Sequence, residues 1–214
     1  MKAFLVDDEF LQRKLVKKSV DWQSIGIELC GEAEDGEEAL EKIFMLKPDI
    51  LIMDINIPYV NGIEVSKKVK KVFPETQVII LSAYGEFEYA KEALSFGALS
   101  FVLKPLNPKE LTSELMKCKE KIQKIQQQKL SVKKMQEAAK AENYDCEIAA
   151  YSAAETVEKA SDADVVLLGP QIRFSKDKIA KELPGVPVDA IEMRMYGRMD
   201  GKGALAFAKS LMKD

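Results

Sequence analysis

Asp54-Ile55-Asn56-Ile57-Pro58-Tyr59-Val60-Asn61-Gly62 is the stretch on which the reading turns. It follows Ile50-Leu51-Ile52-Met53, a run of mostly branched apolar residues bounded upstream by Pro48 and Asp49, with the length of a strand buried on both faces. Strands of that kind belong to open parallel sheets, where ligands sit beyond the carboxyl ends. A carboxylate at such an end is either a site residue or a cap for the next helix. Pro58 and Asn61-Gly62 are turn residues that hold Asp54 at the rim.

Three further runs end in the same manner. Lys2-Ala3-Phe4-Leu5-Val6 stops at Asp7-Asp8-Glu9, Val78-Ile79-Ile80-Leu81 stops at Ser82, and Phe101-Val102-Leu103 stops at Lys104-Pro105. Acids, a hydroxyl and an amine are thus delivered to one edge of one sheet. Crowded carboxylates repel one another and resist ionisation unless a cation sits among them, and hard oxygen ligands suit Mg²⁺. With that ion, Asp54 can attack a phosphoryl donor as a carboxylate nucleophile, while the metal, Lys104 and the Ser82 hydroxyl neutralise charge on the phosphoryl oxygens.

At these residues the chain resembles a response-regulator receiver domain over roughly residues 1–126. The acidic pair, the D-x-x-x-P-x-x-N-G loop, the hydroxyl after the fourth strand and the Lys-Pro after the fifth all occur in order. The resemblance implies Asp54 as phosphoacceptor, Asp8, Asp54 and the Asn56 carbonyl as Mg²⁺ ligands, and Asp7 acting on the metal through water. It implies Ser82 as switch hydroxyl, Lys104 as phosphate contact and Phe101 as the aromatic that turns on activation. It also implies a sensor histidine kinase as phosphodonor. The hydroxyl is Ser where Thr is also common, a departure that should not impair function.

The chain has 214 residues, enough for two domains, and 47% of them are hydrophobic, which suffices for a core. With 32 basic and 35 acidic side chains, the net charge of -3 recommends neither nucleic acid nor an anionic membrane as partner. No run of about 18 apolar residues occurs. Met1-Lys2-Ala3 leads straight into a strand without a signal-peptide pattern, so a cytoplasmic protein is expected. Cys30, Cys118 and Cys146 have neither paired nor metal-ligand spacing, and there is no histidine, which excludes zinc sites, Ser/His/Asp catalysis and phosphohistidine chemistry in this chain.

Residues 9–24 read as a helix with Leu11, Leu15 and Val16 on its apolar face and Trp22 in the core. Ile27 to Ala33 alternates and suits a sheet edge; Asp35-Gly36 opens a helix through Leu46, and Gly62 to Val72 and Phe87 to Phe96 are further helices. The expectation is an α/β fold, a doubly wound, flavodoxin-like parallel sheet of order 2-1-3-4-5, which puts the ends carrying Asp7, Asp8 and Asp54 side by side at the switch point. Tyr84, Phe87 and Tyr89 mark either a docking surface or partial core; they resemble the same region in receivers of arabinose-regulator-type proteins, although no helix-turn-helix module follows.

From Lys109 to Asn143 there is neither Gly nor Pro. Leu111, Leu115, Cys118, Ile122 and Ile125 make a heptad seam that Val132, Met135 and Ala139 continue after a slip. Either one long helix forms or two meet at Gln126-Gln127-Gln128; the helix propensity of Gln favours one. Beyond it, a second, smaller α/β unit (residues 127–214) is expected. Its strands are placed at Glu147–Ala150, Asp164–Leu168 and Val188–Ile191, and its helices at Ala153–Ala160, Lys176–Leu183 and Gly201–Met212.

Asp164-Val165-Val166-Leu167-Leu168-Gly169-Pro170-Gln171-Ile172 and Tyr196-Gly197-Arg198-Met199-Asp200-Gly201, with Val132-Lys133-Lys134-Met135, give residues from about 130 a second resemblance. It is to the lactose/cellobiose-type enzyme IIB of the sugar phosphotransferase system. That family opens with a strand ending in a phosphorylated cysteine, and no position here corresponds to it, so sugar-phosphate transfer is not expected. The missing strand leaves a gap in the sheet, which either closes within one chain or invites a partner strand. A homodimer is therefore expected through residues 111–139 or through the incomplete sheet. A whole receiver joined to a truncated unit reads as a chimera, a natural fusion or, since the retained motifs are intact, an engineered splice.

Overall fold

The computed structural model describes residues 1–83, 98 and 100–212. The helix expected from Phe87 to Phe96 and the aromatics Tyr84, Phe87 and Tyr89 lie outside them. The chain divides into two compact units, Met1–Gln123 and the residues from Lys124 on.

In the first unit five strands, β1 (Lys2–Val6), β2 (Glu28–Ala33), β3 (Ile50–Asp54), β4 (Gln77–Ser82) and β5 (Ser100–Leu103), form one parallel sheet in the order β2-β1-β3-β4-β5. Every residue of β3 and β4 is buried, as their unbroken apolar runs require, while the alternating β2 lies at the edge. Helices α1 (Phe10–Ser19), α2 (Gly36–Leu46) and α3 (Gly62–Val72) alternate with the strands. A longer helix, α4, runs from Pro108 to Ala141 without interruption. Two clusters of buried residues cover the two faces of the sheet. Val16 of α1 and Leu111, Leu115, Cys118 and Ile122 of α4 pack on one. Ala39 and Ile43 of α2 pack with Ile63, Val65 and Val69 of α3 on the other. Asp35 caps α2 by accepting from the amides of Glu37 and Glu38, and Asn61 caps α3 by accepting from Glu64.

Two expectations fail here. Helix α1 ends at Ser19, and Leu11 and Leu15 are 74% and 44% exposed; the side chains it buries are Arg13 and Val16. Trp22 is only partly buried, its indole donating to the Lys17 carbonyl at 3.2 Å. Nor is the heptad seam spare, since its positions from Leu111 to Ile122 belong to the core of this unit.

The second unit has a two-stranded parallel sheet, β6 (Val166–Leu168) with β7 (Val188–Ala190). Around it lie α5 (Thr156–Lys159), a 3₁₀ turn over Pro170–Ser175, α6 (Lys176–Glu182), α7 (Met193–Gly197) and α8 (Gly201–Leu211). The strand expected at Glu147–Ala150 does not form: the segment has no regular structure and is largely exposed, and the Ile148 carbonyl accepts from the Gln136 side chain at 3.0 Å. An apolar content of one isoleucine and two alanines gives a strand little to bury. The gap in the sheet therefore is not closed by pairing this segment with β6. The helix expected from Ala153 shrinks to α5, and β6 begins two residues later than expected. Helix α7 and the 3₁₀ turn were not expected. Among the described residues no helix is long and apolar enough to cross a membrane.

Candidate functional site

The sheet register sets the geometry at the carboxyl ends of the strands. Val6 pairs with Met53, so Asp7 and Asp54 come level on adjacent strands. Asp54 pairs with Leu81, and Ser82 with Leu103, so the hydroxyl and Lys104 follow in sequence across the sheet. Lys104 reaches over β4: its Nζ lies 2.6 Å from Asp54 Oδ2, 2.9 Å from Asp7 Oδ2 and 3.6 Å from Glu9 Oε1.

The loop after Asp54 is folded back tightly. The Gly62 amide donates to the Ile55 carbonyl at 3.0 Å, and a Cβ at Gly62 would collide with the Asp54 carbonyl oxygen, so only glycine lets α3 start this close to the acid. Ile55 and Ile57 turn inward and anchor the loop, leaving Asn56 and Tyr59 outside. The Asn56 amide donates to Asp54 Oδ1 at 3.4 Å. Ser82 is buried and its hydroxyl donates to the Ala83 carbonyl at 3.1 Å. Phe101 is half-buried against the cluster on the α2/α3 face. Asp8 is exposed, beside the fully buried Asp7.

Burial pushes the carboxyls of Asp7 and Asp54 above their ordinary range, and the lysine between them only partly offsets it. Burial also opposes the charge on Lys104, but its hydrogen bond to Asp54 and its ion pair with Asp7 outweigh that and hold the ammonium well above its usual pKa. One desolvated cation serves more acids than it can neutralise.

That imbalance is the test for a divalent cation. Carboxylate oxygens of Asp7, Asp8 and Glu9 lie within 4.8 Å of one another. Asp7 Oδ2 is fully buried and, although it is ion-paired to Lys104, has no partner in hydrogen-bond geometry. Hard oxygens with unused acceptor capacity fit Mg²⁺. With such an ion beside the Lys104 ammonium, the cluster would carry the positive charge needed to meet an anionic group at Asp54.

The motifs that mark the site do not point to Arg13. It is 6% exposed, and its Nη1 donates to the Asp7 carbonyl at 2.7 Å and the Asp8 carbonyl at 3.2 Å. Helical periodicity could not find it, because an arginine on the inward face counts against that face.

Residues 3–116 match the family model for the response regulator receiver domain, and residues 130–207 that for the lactose/cellobiose-specific IIB subunit of the PTS system. The chain is 43% identical over 114 residues to the uncharacterized transcriptional regulatory protein YesN of Bacillus subtilis, a match covering 53% of this chain and 31% of that protein. It is 38% identical over 116 residues to the chemotaxis protein CheY of Thermotoga maritima, covering 54% of this chain and 95% of CheY. The receiver domain of AraT, a response regulator from Geobacillus stearothermophilus, superimposes with a TM-score of 0.56 at 35% identity, covering 58% of this chain and 97% of that domain.

Proposed function

The chain belongs to the response regulator receiver family over residues 3–116, and on that premise we propose that it is a two-component phosphoacceptor that takes a phosphoryl group on Asp54 from a sensor histidine kinase. A carboxylate oxygen of Asp54 attacks phosphorus, the P–N bond of the donor phosphohistidine breaks, and its electron pair stays on the imidazole nitrogen, leaving an acyl phosphate. Lys104, 2.6 Å from Asp54, is the contact that supports the reading: its ammonium lies beside the attacking carboxylate, where it would neutralise phosphoryl oxygens, and its raised pKa keeps it charged. Mg²⁺, held by Asp8, Asp54 and the Asn56 carbonyl with Asp7 acting through water, would supply the remaining neutralisation of the phosphoryl oxygens. Exposed Phe10 and Leu11, directly after the acidic loop, offer a protein donor apolar surface.

Phosphorylation adds negative charge and acceptor oxygens next to Ser82, whose hydroxyl is drawn from the Ala83 carbonyl towards them, and Phe101 turns into the space vacated. In the second unit no cysteine takes the IIB phosphoryl role. Cys118 lies in the core of the first unit, with its thiol pushed up to about 12 by burial, and Cys146 sits on the exposed segment where no strand forms. Net charge of -3 gives nucleic acid no general attraction. With the seam from Leu111 to Ile122 buried in the first unit, a homodimer keeps the open side of β6 as its route.

Acetyl phosphate with Mg²⁺ should add one hydroxylamine-sensitive phosphoryl group by mass spectrometry, and Asp54→Asn should abolish it with the fold intact. Labelling that survives in Asp54→Asn would move the acceptor elsewhere.

A further inference from the structure

Arg13 is a buried cation to which the chemistry above gives no role. It belongs to a helix whose neighbouring leucines face solvent, yet only 6% of it is exposed. Its guanidinium turns back past the start of α1, donates hydrogen bonds to three groups and lies within ion-pair range of a fourth. Nη1 donates to the carbonyls of Asp7 at 2.7 Å and Asp8 at 3.2 Å, Nη2 donates to Glu34 Oε2 at 3.4 Å, and Nε lies 3.9 Å from Glu32 Oε2.

Those contacts bear on the acidic cluster through the backbone. In an extended chain, consecutive side chains point to opposite faces. Here Asp7, Asp8 and Glu9 bring carboxylate oxygens within 4.8 Å of one another, so the chain must turn as it leaves β1. The Glu9 amide closes that turn on Asp7 Oδ1 at 2.9 Å. Turning takes the carbonyls of Asp7 and Asp8 out of the sheet ladder, and a buried carbonyl such as that of Asp7 needs a donor. Arg13 donates to both, while Glu34, just beyond β2, accepts from the other edge of the guanidinium and Glu32 on β2 lies within ion-pair range of it. A planar fork can serve carbonyls on one side and carboxylates on another; an ammonium, with a single donor centre, cannot match that spread.

We infer that Arg13 is a positioning residue for phosphoryl transfer: it fixes the Asp7–Asp8 turn beside β2 and so aims the carboxylates that would hold Mg²⁺. This rests on the phosphoacceptor reading of Asp54.

The test is Mg²⁺ affinity of the full chain by isothermal titration calorimetry, with folding checked by circular dichroism. Arg13→Gln should weaken binding roughly ten- to a hundred-fold, the range seen when groups that orient metal ligands are removed. Arg13→Lys should recover part of the loss, and Val16→Ala, on the same buried face of α1, should lower stability with Mg²⁺ affinity unchanged. Folded Arg13→Gln binding Mg²⁺ within about two-fold of wild type would overturn the inference, as would an equal loss in Val16→Ala, which would reduce Arg13 to a general stabiliser. Wild-type chain that binds no Mg²⁺ would instead overturn the phosphoacceptor reading, and this inference with it.

Discussion

In the first unit β1, β3 and β4 each have a strand on either side and helices over both faces, and β3 and β4 bury every residue. In the second, β6 and β7 pair over three residues and share one small cluster of buried side chains. The Val166 amide and Leu168 carbonyl bond towards the β7 side, to Pro187 and Ile191 at 2.9 Å each, so by alternation the polar groups of Leu167 face the open side of β6. Both units use parallel strands, but only the first encloses them. The enclosed sheet can hold desolvated acids and a lysine at its rim, because the strands that carry them cannot shift; a two-stranded ribbon has no such rigidity.

The largest expected effect probes that rigidity. Ile52→Ala in β3 should destabilise the first unit by ~3–4 kcal/mol, whereas Leu168→Ala in β6, with fewer neighbours to lose, should cost the second about 2 kcal/mol. Hydrogen exchange read peptide by peptide separates the two, and equal protection of β3 and β6 in the wild type would break the comparison.

A smaller effect is electrostatic. Burial raises the Asp7 pKa above its ordinary 3.8, so the folded chain prefers the protonated acid. The contribution of a raised group is fully present below the unfolded pKa and is lost as pH rises through the folded one. Asp7→Asn, which cannot ionise, should therefore raise the melting midpoint by a few degrees at pH 7, with the gain vanishing below about pH 4. Mg²⁺ should narrow the gap by stabilising the wild type. An Asp7→Asn variant less stable than wild type at pH 7 would show that the Lys104 pair outweighs burial.

Smaller again is the switch. Beryllofluoride, a phosphoryl mimic, should shift the amide signals of β4 and β5 in the wild type, and Ser82→Ala should lose the β5 part of that response. Identical spectra would uncouple Ser82 from Phe101. The smallest effect concerns the open side of β6, which predicts weak, concentration-dependent self-association. Sedimentation that stays near 24.0 kDa at all concentrations would show that the edge remains bare.

How much could be read in advance follows the same division. The ends of β1, β3 and β4 are marked by apolar runs that stop at Asp7, Asp54 and Ser82, and Asn61-Gly62 marks the start of α3 by its own turn chemistry. Those signals are local, so the sheet order, the family and the residues to be tested were legible. Glu147–Ala150 offers only one isoleucine and two alanines, and among the described residues no strand pairs with it, so it stays irregular.

From its residues alone the chain determined where strands stop, which side chains stand at their ends, and that an acidic cluster with one lysine would meet at a switch point. Only the tertiary structure decided which helix faces are buried. Leu11 and Leu15 lie outside while Arg13 lies inside, because the carbonyls of a turn after β1 needed donors that no periodicity announces. It also decided that the seam from Leu111 to Ile122 serves the chain's own sheet, since a heptad stripe packs equally well on any apolar surface and its partner is chosen by what the fold brings near.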